Sequence, residues 1–166
     1  TLLVFLTGFQ LTASDEPLLN KIEIASSGCS AYMIGKPTEV DISKSPDGSE
    51  IFTVESVSQK YPDYQFGVIL VKLIGIEENV DREQLLMAYM DFLKTPFSIT
   101  ASAGYGKGHT LETHASAKGV IDYWEGSDGL KWVLQGWTAE DFLVVMFISG
   151  PETFENVSIQ KRNNQR

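Results

Sequence analysis

Two histidines and a carboxylate are the residues whose types best suit a transition metal. His109, Glu112 and His114 occur together in the segment HTLETH, and imidazole with carboxylate is a common ligand combination. Residues five apart point to opposite faces of a strand and lie about 140° apart on a helix, so the two imidazoles do not converge. Only Glu112 and His114 share a strand face. We therefore predict surface or edge residues and no metal.

The glycine-rich segment Gly104-Tyr105-Gly106-Lys107-Gly108 resembles a phosphate-binding loop in composition. Such a loop presents backbone N–H groups to a phosphate, and Lys107 would supply the counter-charge. Known phosphate loops lie between a strand and a helix N-terminus, whereas the residues that follow here are typical of a strand. We expect a mobile connection or wide hairpin loop, which leaves partner binding open and predicts no cofactor.

Nucleophilic catalysis has no recognisable motif in this chain. No G-x-S-x-G elbow occurs, and Cys29 has no protease-like context, so we interpret it as a small buried thiol. Asp122, Glu125 and Asp128 surround a predicted hairpin but lack EF-hand spacing, and we interpret them as solvated turn residues. The pattern leans away from an enzyme.

Four aromatic residues fall close together on two neighbouring predicted strands. Because side chains alternate along a strand, Tyr123 and Trp124 point to opposite faces of the predicted sheet, and so do Trp132 and Trp137. One face of the sheet would then belong to the core, while the other would be free to bind. Core packing and a binding surface both remain open for them. The candidate partner or ligand surface comprises Tyr105, Lys107, His109, Tyr123, Trp124, Trp132 and Trp137.

Composition predicts one ordinary domain over residues 15–166. The chain has 166 residues, with 13 Lys and Arg against 22 Asp and Glu, a formal net charge of −9. A phosphate-backbone binder needs clustered basic residues, so the charge argues against nucleic acid. The 43 % hydrophobic content argues against disorder.

The uncharged segment 1–14, TLLVFLTGFQLTAS, precedes an abruptly polar stretch. It is too short to span a membrane but has the length of a signal-peptide apolar region, with small residues Thr12 and Ser14 before a possible cleavage site. We expect export to a secreted or periplasmic location. The alternatives are a first strand or helix of the domain and a cytoplasmic protein.

The remaining pattern predicts strands around one helix. Pro46-Asp47-Gly48 indicates a turn, residues 51–57 alternate as a strand, and residues 66–74 are apolar enough for a strand buried on both faces. Asp81 begins a helix over residues 81–94, whose apolar positions recur at three- and four-residue spacing. A meander follows, with strands over 111–125, 130–138 and 142–149, before a polar tail. The two doubly buried strands favour an α+β fold, a central antiparallel sheet with helices on its faces.

The runs YQFGVILVKL, LLMAYMDFL and KGVIDYWEGSDGLKWVLQGWTAEDFLVVMFISGP give the chain a resemblance to the PsbP family over residues 20–160. That family is typified by an extrinsic lumenal protein of photosystem II and includes a Ran-binding nuclear-import factor. The resemblance implies an α/β/α sandwich and an accessory or assembly protein that acts through protein contacts. The family's long C-terminal helix is represented here by a short polar tail, and no functional residue carries over.

Two functional hypotheses follow. The first is an exported, non-enzymatic accessory or interaction module with a protein partner. The second is a small-molecule binder or enzyme of the cystatin-like or nuclear-transport-factor-like type, which encloses an apolar pocket in the concave face of its sheet. The second predicts a cavity lined by Tyr123, Trp132 and Trp137, with a buried His or Asp beside it.

Overall fold

A computed structural model describes residues 3–4, 19–112 and 114–154. The predicted export segment and polar tail therefore lie mostly outside the described residues. In chain order the elements are β1 (Leu3–Val4), β2 (Leu19–Glu23), a 3-10 turn (Ala25–Ser27), β3 (Ser30–Ile34), β4 (Lys36–Pro37), β5 (Asp41–Lys44), β6 (Glu50–Ser58), β7 (Tyr61–Lys72), α1 (Arg82–Lys94), β8 (Ile99–Ser102), β9 (Gly106–Leu111), β10 (His114–Gly126), β11 (Lys131–Ala139) and β12 (Phe142–Gly150).

Nine strands form one large sheet in the order β4-β6-β7-β12-β11-β10-β8, with β5 also paired to β6 and β9 to β10. All of these strand pairings are antiparallel. The central strands β7, β12 and β11 carry almost continuous runs of buried residues. The prediction of doubly buried strands is confirmed for residues 66–71 and 143–149 at the centre of the sheet, but β7 ends at Lys72 and Ile74 is 56 % exposed.

The two faces of this sheet are covered by different kinds of layer. On one face α1 packs over β10 and β11, with Leu86 and Met90 fully buried against the sheet. On the other face lies a three-stranded sheet in the order β1-β3-β2, which buries Ala31 and Met33 against Val68 and its neighbours.

The predicted α+β sandwich with helices on both faces is wrong. Strand accounts for 58 % of the structure and helix for 13 %, with one α-helix in the described residues. The reason is visible in β3, whose inward residues Ala31 and Met33 are two positions apart, and in β2, whose Ile22 lies opposite Ala31 and packs on the same core. A spacing of two directs apolar side chains to one face of a strand, so this segment covers the sheet as a second sheet.

Helix α1 begins where the sequence predicts. The Asp81 carboxylate accepts hydrogen bonds from the backbone N–H groups of Glu83 and Gln84, at 3.0 and 3.2 Å. These bonds satisfy donors that have no partner within the helix. The apolar surface of the helix is broader than its buried stripe, because Phe92 is 65 % exposed and stacks on Tyr89 instead of entering the core.

The hairpin turns lie where the turn residues of the sequence predict them. Residues 45–49 close the β5–β6 hairpin around Pro46-Asp47-Gly48, with Gly48 at a φ of 88°. Residues 126–130 close the β10–β11 hairpin, and a two-residue turn follows Ala139. The sequence did not predict β2 to β5, β8 or β9, and the strand predicted from Leu111 is divided between β9 and β10.

A glycine in β7 makes room for an aromatic ring in β12. Gly67 lies directly opposite Phe147 in the antiparallel register, and a Cβ atom at Gly67 would overlap the Phe147 ring. The ring is almost fully buried and also contacts Phe97 and Trp132. The missing side chain at Gly67 is therefore part of the packing on the helix side of the sheet.

Candidate functional site

A fully buried carboxylate lies at the centre of the only chemically rich cluster we identify among the described residues. Asp122 is 0 % exposed in the middle of β10. Its Oδ2 accepts hydrogen bonds from Trp124 Nε1 at 2.6 Å and from Ser102 Oγ at 2.8 Å. Its Oδ1 accepts from the backbone N–H groups of Gly104 and Tyr123, at 3.0 and 2.8 Å. The interpretation of Asp122 as a solvated turn residue is therefore wrong.

A lysine from the last turn of α1 completes this cluster. Lys94 Nζ lies 2.8 Å from Asp91 Oδ1 and 3.9 Å from Asp122 Oδ2. The same ammonium group lies 5.3 Å from the ring centroid of Tyr105 and 5.7 Å from that of Trp124, within the range of cation–π attraction. We call Asp91, Lys94, Tyr105, Asp122 and Trp124 the Asp122 cluster.

The ionisable groups of the Asp122 cluster influence one another. The hydrogen bond from Lys94, together with that from Tyr105, holds the pKa of Asp91 below its ordinary value. Burial, reinforced by the bond to Asp91, raises the pKa of the Tyr105 hydroxyl. That hydroxyl lies 2.6 Å from Asp91 Oδ1 and 3.1 Å from the backbone oxygen of Met87. The cluster thus holds the end of β8 and the connection that leads to β9 against α1 and β10.

Strand β9 leaves this anchored connection at the edge of the large sheet. Residues 106–110 are exposed, including the predicted site residues Lys107 and His109. Gly106 pairs with Ile121 and His109 with Gly119, so β9 has one residue more than its partner between these pairs. Gly108 has a φ of 88°, as expected for a bulge that uses a left-handed glycine. The loop predicted over residues 104–108 is therefore strand from Gly106 onward.

The four clustered aromatic residues do not form one surface. Trp124 and Trp132 lie on the helix side of the sheet, where Trp132 stacks on Phe97 with ring centroids 4.9 Å apart. Trp137 lies in the core on the opposite face, above Gly119. Tyr123 is 38 % exposed, which makes it the accessible member of the set.

A small apolar cavity lies between the two sheets. It measures about 20 Å³ and is lined by side chains of β3, β7, β11 and β12, among them Met33, Val68 and Gln135. A cavity of this volume holds roughly one water molecule. Tyr123, Trp132 and Trp137 are not among the residues that line it.

The candidate metal residues are separated by the fold. His109 lies in exposed β9 and His114 begins β10, with Glu112 in the turn between them. Across the described ranges, no group of three or more His, Cys, Asp or Glu residues is placed to hold a metal ion. Within the same ranges, no helix has both the length and the apolar character needed to cross a membrane.

The Asp122 cluster could not be identified from residue types alone, but a signal for it exists. Strand alternation places Asp122 on the same face as Val120 and Trp124, which are both buried. A carboxylate at an inward position requires hydrogen-bond donors from other elements. Ser102 and Gly104 supply such donors from a distant part of the sequence, and Lys94 adds a positive charge 3.9 Å from the carboxylate.

Neither a protein-family model nor a curated protein matches the sequence. The resemblance to the PsbP family therefore stays a prediction from sequence motifs. Any function must be argued from the geometry of the chain itself.

Proposed function

We propose that this chain is a non-enzymatic interaction module that binds an extended segment of a partner protein along the outer edge of β9. The observation that carries the proposal is the exposure of residues 106–110 at the edge of the nine-stranded sheet. Among the described strands, β9 pairs with β10 alone. An exposed edge presents backbone N–H and C=O groups to which an added strand can bond.

The anchoring of β9 supports this role. Asp122 holds the backbone of Gly104, and Asp91 holds the Tyr105 hydroxyl, immediately before the strand begins. A fixed edge loses less conformational entropy on binding than a disordered loop would. The Asp122 cluster therefore acts as the support of the binding surface, and its members need not touch the partner.

The residues of β9 also limit which strands can pair with it. Lys107 and the bulge at Gly108 are features that prevent edge-to-edge association of identical sheets. A partner strand must accommodate the bulge, and an acidic residue opposite Lys107 would be favoured. Export stays a separate prediction that rests on segment 1–14.

Peptide display tests this proposal even while the partner is unidentified. Peptides selected on the purified protein are compared for binding to wild type and to Lys107→Pro. Residues 107 and 108 have no pairing partner in β10, so this change introduces a bulky ring and removes an N–H group without breaking the β9–β10 register. We expect affinity losses of roughly tenfold or more, about 1.4 kcal/mol, for peptides that bind as strands.

The matched control is Glu78→Pro, placed in the exposed turn that Val80 closes by bonding to Glu77. Proline is well accepted at this position of a turn, so the control should bind like wild type. Equal binding of selected peptides to Lys107→Pro and wild type, with both proteins folded by circular dichroism, would place the interaction elsewhere and refute the proposal.

A further inference from the structure

A second surface, at the opposite edge of the large sheet, carries an independent inference. An open groove of about 600 Å³ lies where β2, β4 and the β6–β7 turn meet. Its lining residues are Asn20, Lys21, Ile22, Gly35, Lys36, Pro37, Val57, Ser58, Gln59 and Lys60. In sheet order β4 and β6 are at the far end from β9, so the groove is separate from the surface proposed above.

The charge of this groove is opposite to that of the chain. Three of the ten lysines, Lys21, Lys36 and Lys60, line it, and the described lining includes no Asp or Glu. The whole chain has a formal net charge of −9, so a basic groove is a local departure from the overall composition. Concentrated positive charge in a concave surface attracts anionic ligands and raises their association rate.

The groove lysines differ in how strongly other groups of the protein engage them. Lys21 lies 3.5 Å from Glu23, but both side chains are about half exposed or more, and such pairs are weak. Lys60 Nζ lies 5.7 Å from the Tyr61 ring centroid and has a further interaction, so we do not count it among the lysines that a ligand would engage. Lys36 is exposed.

The rest of the lining selects among anions. Val57 is 65 % exposed, and together with Pro37 it offers aliphatic contact. Asn20 donates its side-chain amide to the backbone oxygen of Gly35 at 2.7 Å, which ties β2 to the start of β4. No aromatic ring lines the groove among the described residues, so stacking of nucleic-acid bases is not available.

We propose that this groove binds an acidic peptide segment in extended conformation, with Asp or Glu residues on either side of an aliphatic residue. Lys21 and Lys36 would pair with the carboxylates, and Val57 would contact the aliphatic side chain. The groove volume lies within the range of established ligand sites. Binding here does not depend on the β9 edge.

Fluorescence anisotropy with a labelled peptide of alternating Glu and Val tests the proposal on the intact chain. The comparison peptide replaces every Glu by Gln. The groove variant carries Lys21→Ala and Lys36→Ala, and its matched control carries Lys44→Ala and Lys118→Ala, two lysines outside the groove. We expect the Glu peptide to bind wild type and the control equally, with affinity that falls as salt is raised.

For the groove variant we expect a loss of up to about fivefold for each lysine removed. Absence of binding by the Glu peptide, equal binding by the Gln peptide, or equal losses in the two double variants would each overturn the proposal. Displacement of the peptide by low concentrations of inorganic phosphate would indicate a general anion site and would also overturn it. Unchanged binding of the Glu peptide to Lys107→Pro would show that the groove binds the peptide independently of the β9 edge.

Discussion

Replacement of Asp122 by Asn tests whether the buried carboxylate stabilises the fold as its contacts indicate. The Asn side-chain oxygen can still accept from the Gly104 and Tyr123 N–H groups, and the Ser102 hydroxyl can rotate. Its NH₂ group would then face the Trp124 indole N–H, so two donors would oppose each other at a position where wild type has a 2.6 Å bond. A buried donor left without an acceptor costs about 1–3 kcal/mol.

Loss of the negative charge weakens the remaining bonds as well. Hydrogen bonds to charged groups contribute about 1.5–3 kcal/mol, roughly twice the value for neutral pairs. The attraction of Lys94, 3.9 Å from the carboxylate, also disappears. We therefore expect Asp122→Asn to lower the free energy of unfolding by about 2–4 kcal/mol, a large part of the stability of an ordinary domain.

Urea unfolding followed by tryptophan fluorescence measures this loss, and a double-mutant cycle with Trp124→Phe assigns it. Trp132 and Trp137 remain as probes in the Phe variant. Because both changes remove the same bond, the cycle should give a coupling energy of at least about 1 kcal/mol. Asp63→Asn, at an exposed position of β7, is the control and should change stability by less than about 0.5 kcal/mol. A loss of that same small size for Asp122→Asn would refute the reasoning.

Three further changes test other features of the fold. Gly67→Ala should lower the free energy of unfolding by about 1–3 kcal/mol, because the new Cβ atom overlaps the Phe147 ring. A double variant with Phe147→Leu should recover part of that loss. Losses in the double variant equal to the sum of the two single losses would argue against the overlap. Asp81→Ala removes the N-cap of α1 and should cost about 0.5–2 kcal/mol in urea unfolding; an unchanged midpoint would contradict the capping role. Tyr105→Phe should raise the pKa of Asp91 toward its ordinary value in an NMR titration. The lowered pKa of Asp91 stabilises the folded state at pH values above the ordinary Asp pKa of about 3.9. The difference in free energy of unfolding between wild type and Tyr105→Phe should therefore narrow as the pH falls below about 3.9. A difference that does not vary with pH would contradict a hydrogen bond from Tyr105 to the Asp91 carboxylate.

Much of the large sheet could be predicted because its signals are local. The central strands are continuous apolar runs, the hairpins carry turn residues, and α1 has a capping residue with a helical apolar period. The edge strands lack these signals. The segment of β5, Asp41–Lys44, is exposed throughout, and β9 is mostly glycine and polar residues. Such strands form because a neighbouring strand offers hydrogen bonds, which their own sequence does not reveal.

The layer on the second face and the interior of the candidate site required tertiary information. Doubly buried strands indicate that both faces are covered, but not whether a helix or a sheet covers them. In the same way, Asp122 carries no local mark that distinguishes it from Asp128 in the following hairpin turn. Its burial depends on the hydroxyl donor that β8 brings to it and on the Lys94 charge that α1 brings within 3.9 Å.

The pairing of β7 with β12 has a consequence for synthesis of the chain. It joins residues 65–72 to residues 142–149, which lie 70 to 84 positions apart in sequence. At about 5–20 residues per second, a ribosome needs roughly 4–17 s to make the second strand after the first. During that interval β7 can pair with β6 on one side, while its other edge, with some of the most apolar residues of the protein, has no native partner. The nascent chain is therefore most exposed to aggregation at β7, and this is where a chaperone that binds extended apolar segments would protect it.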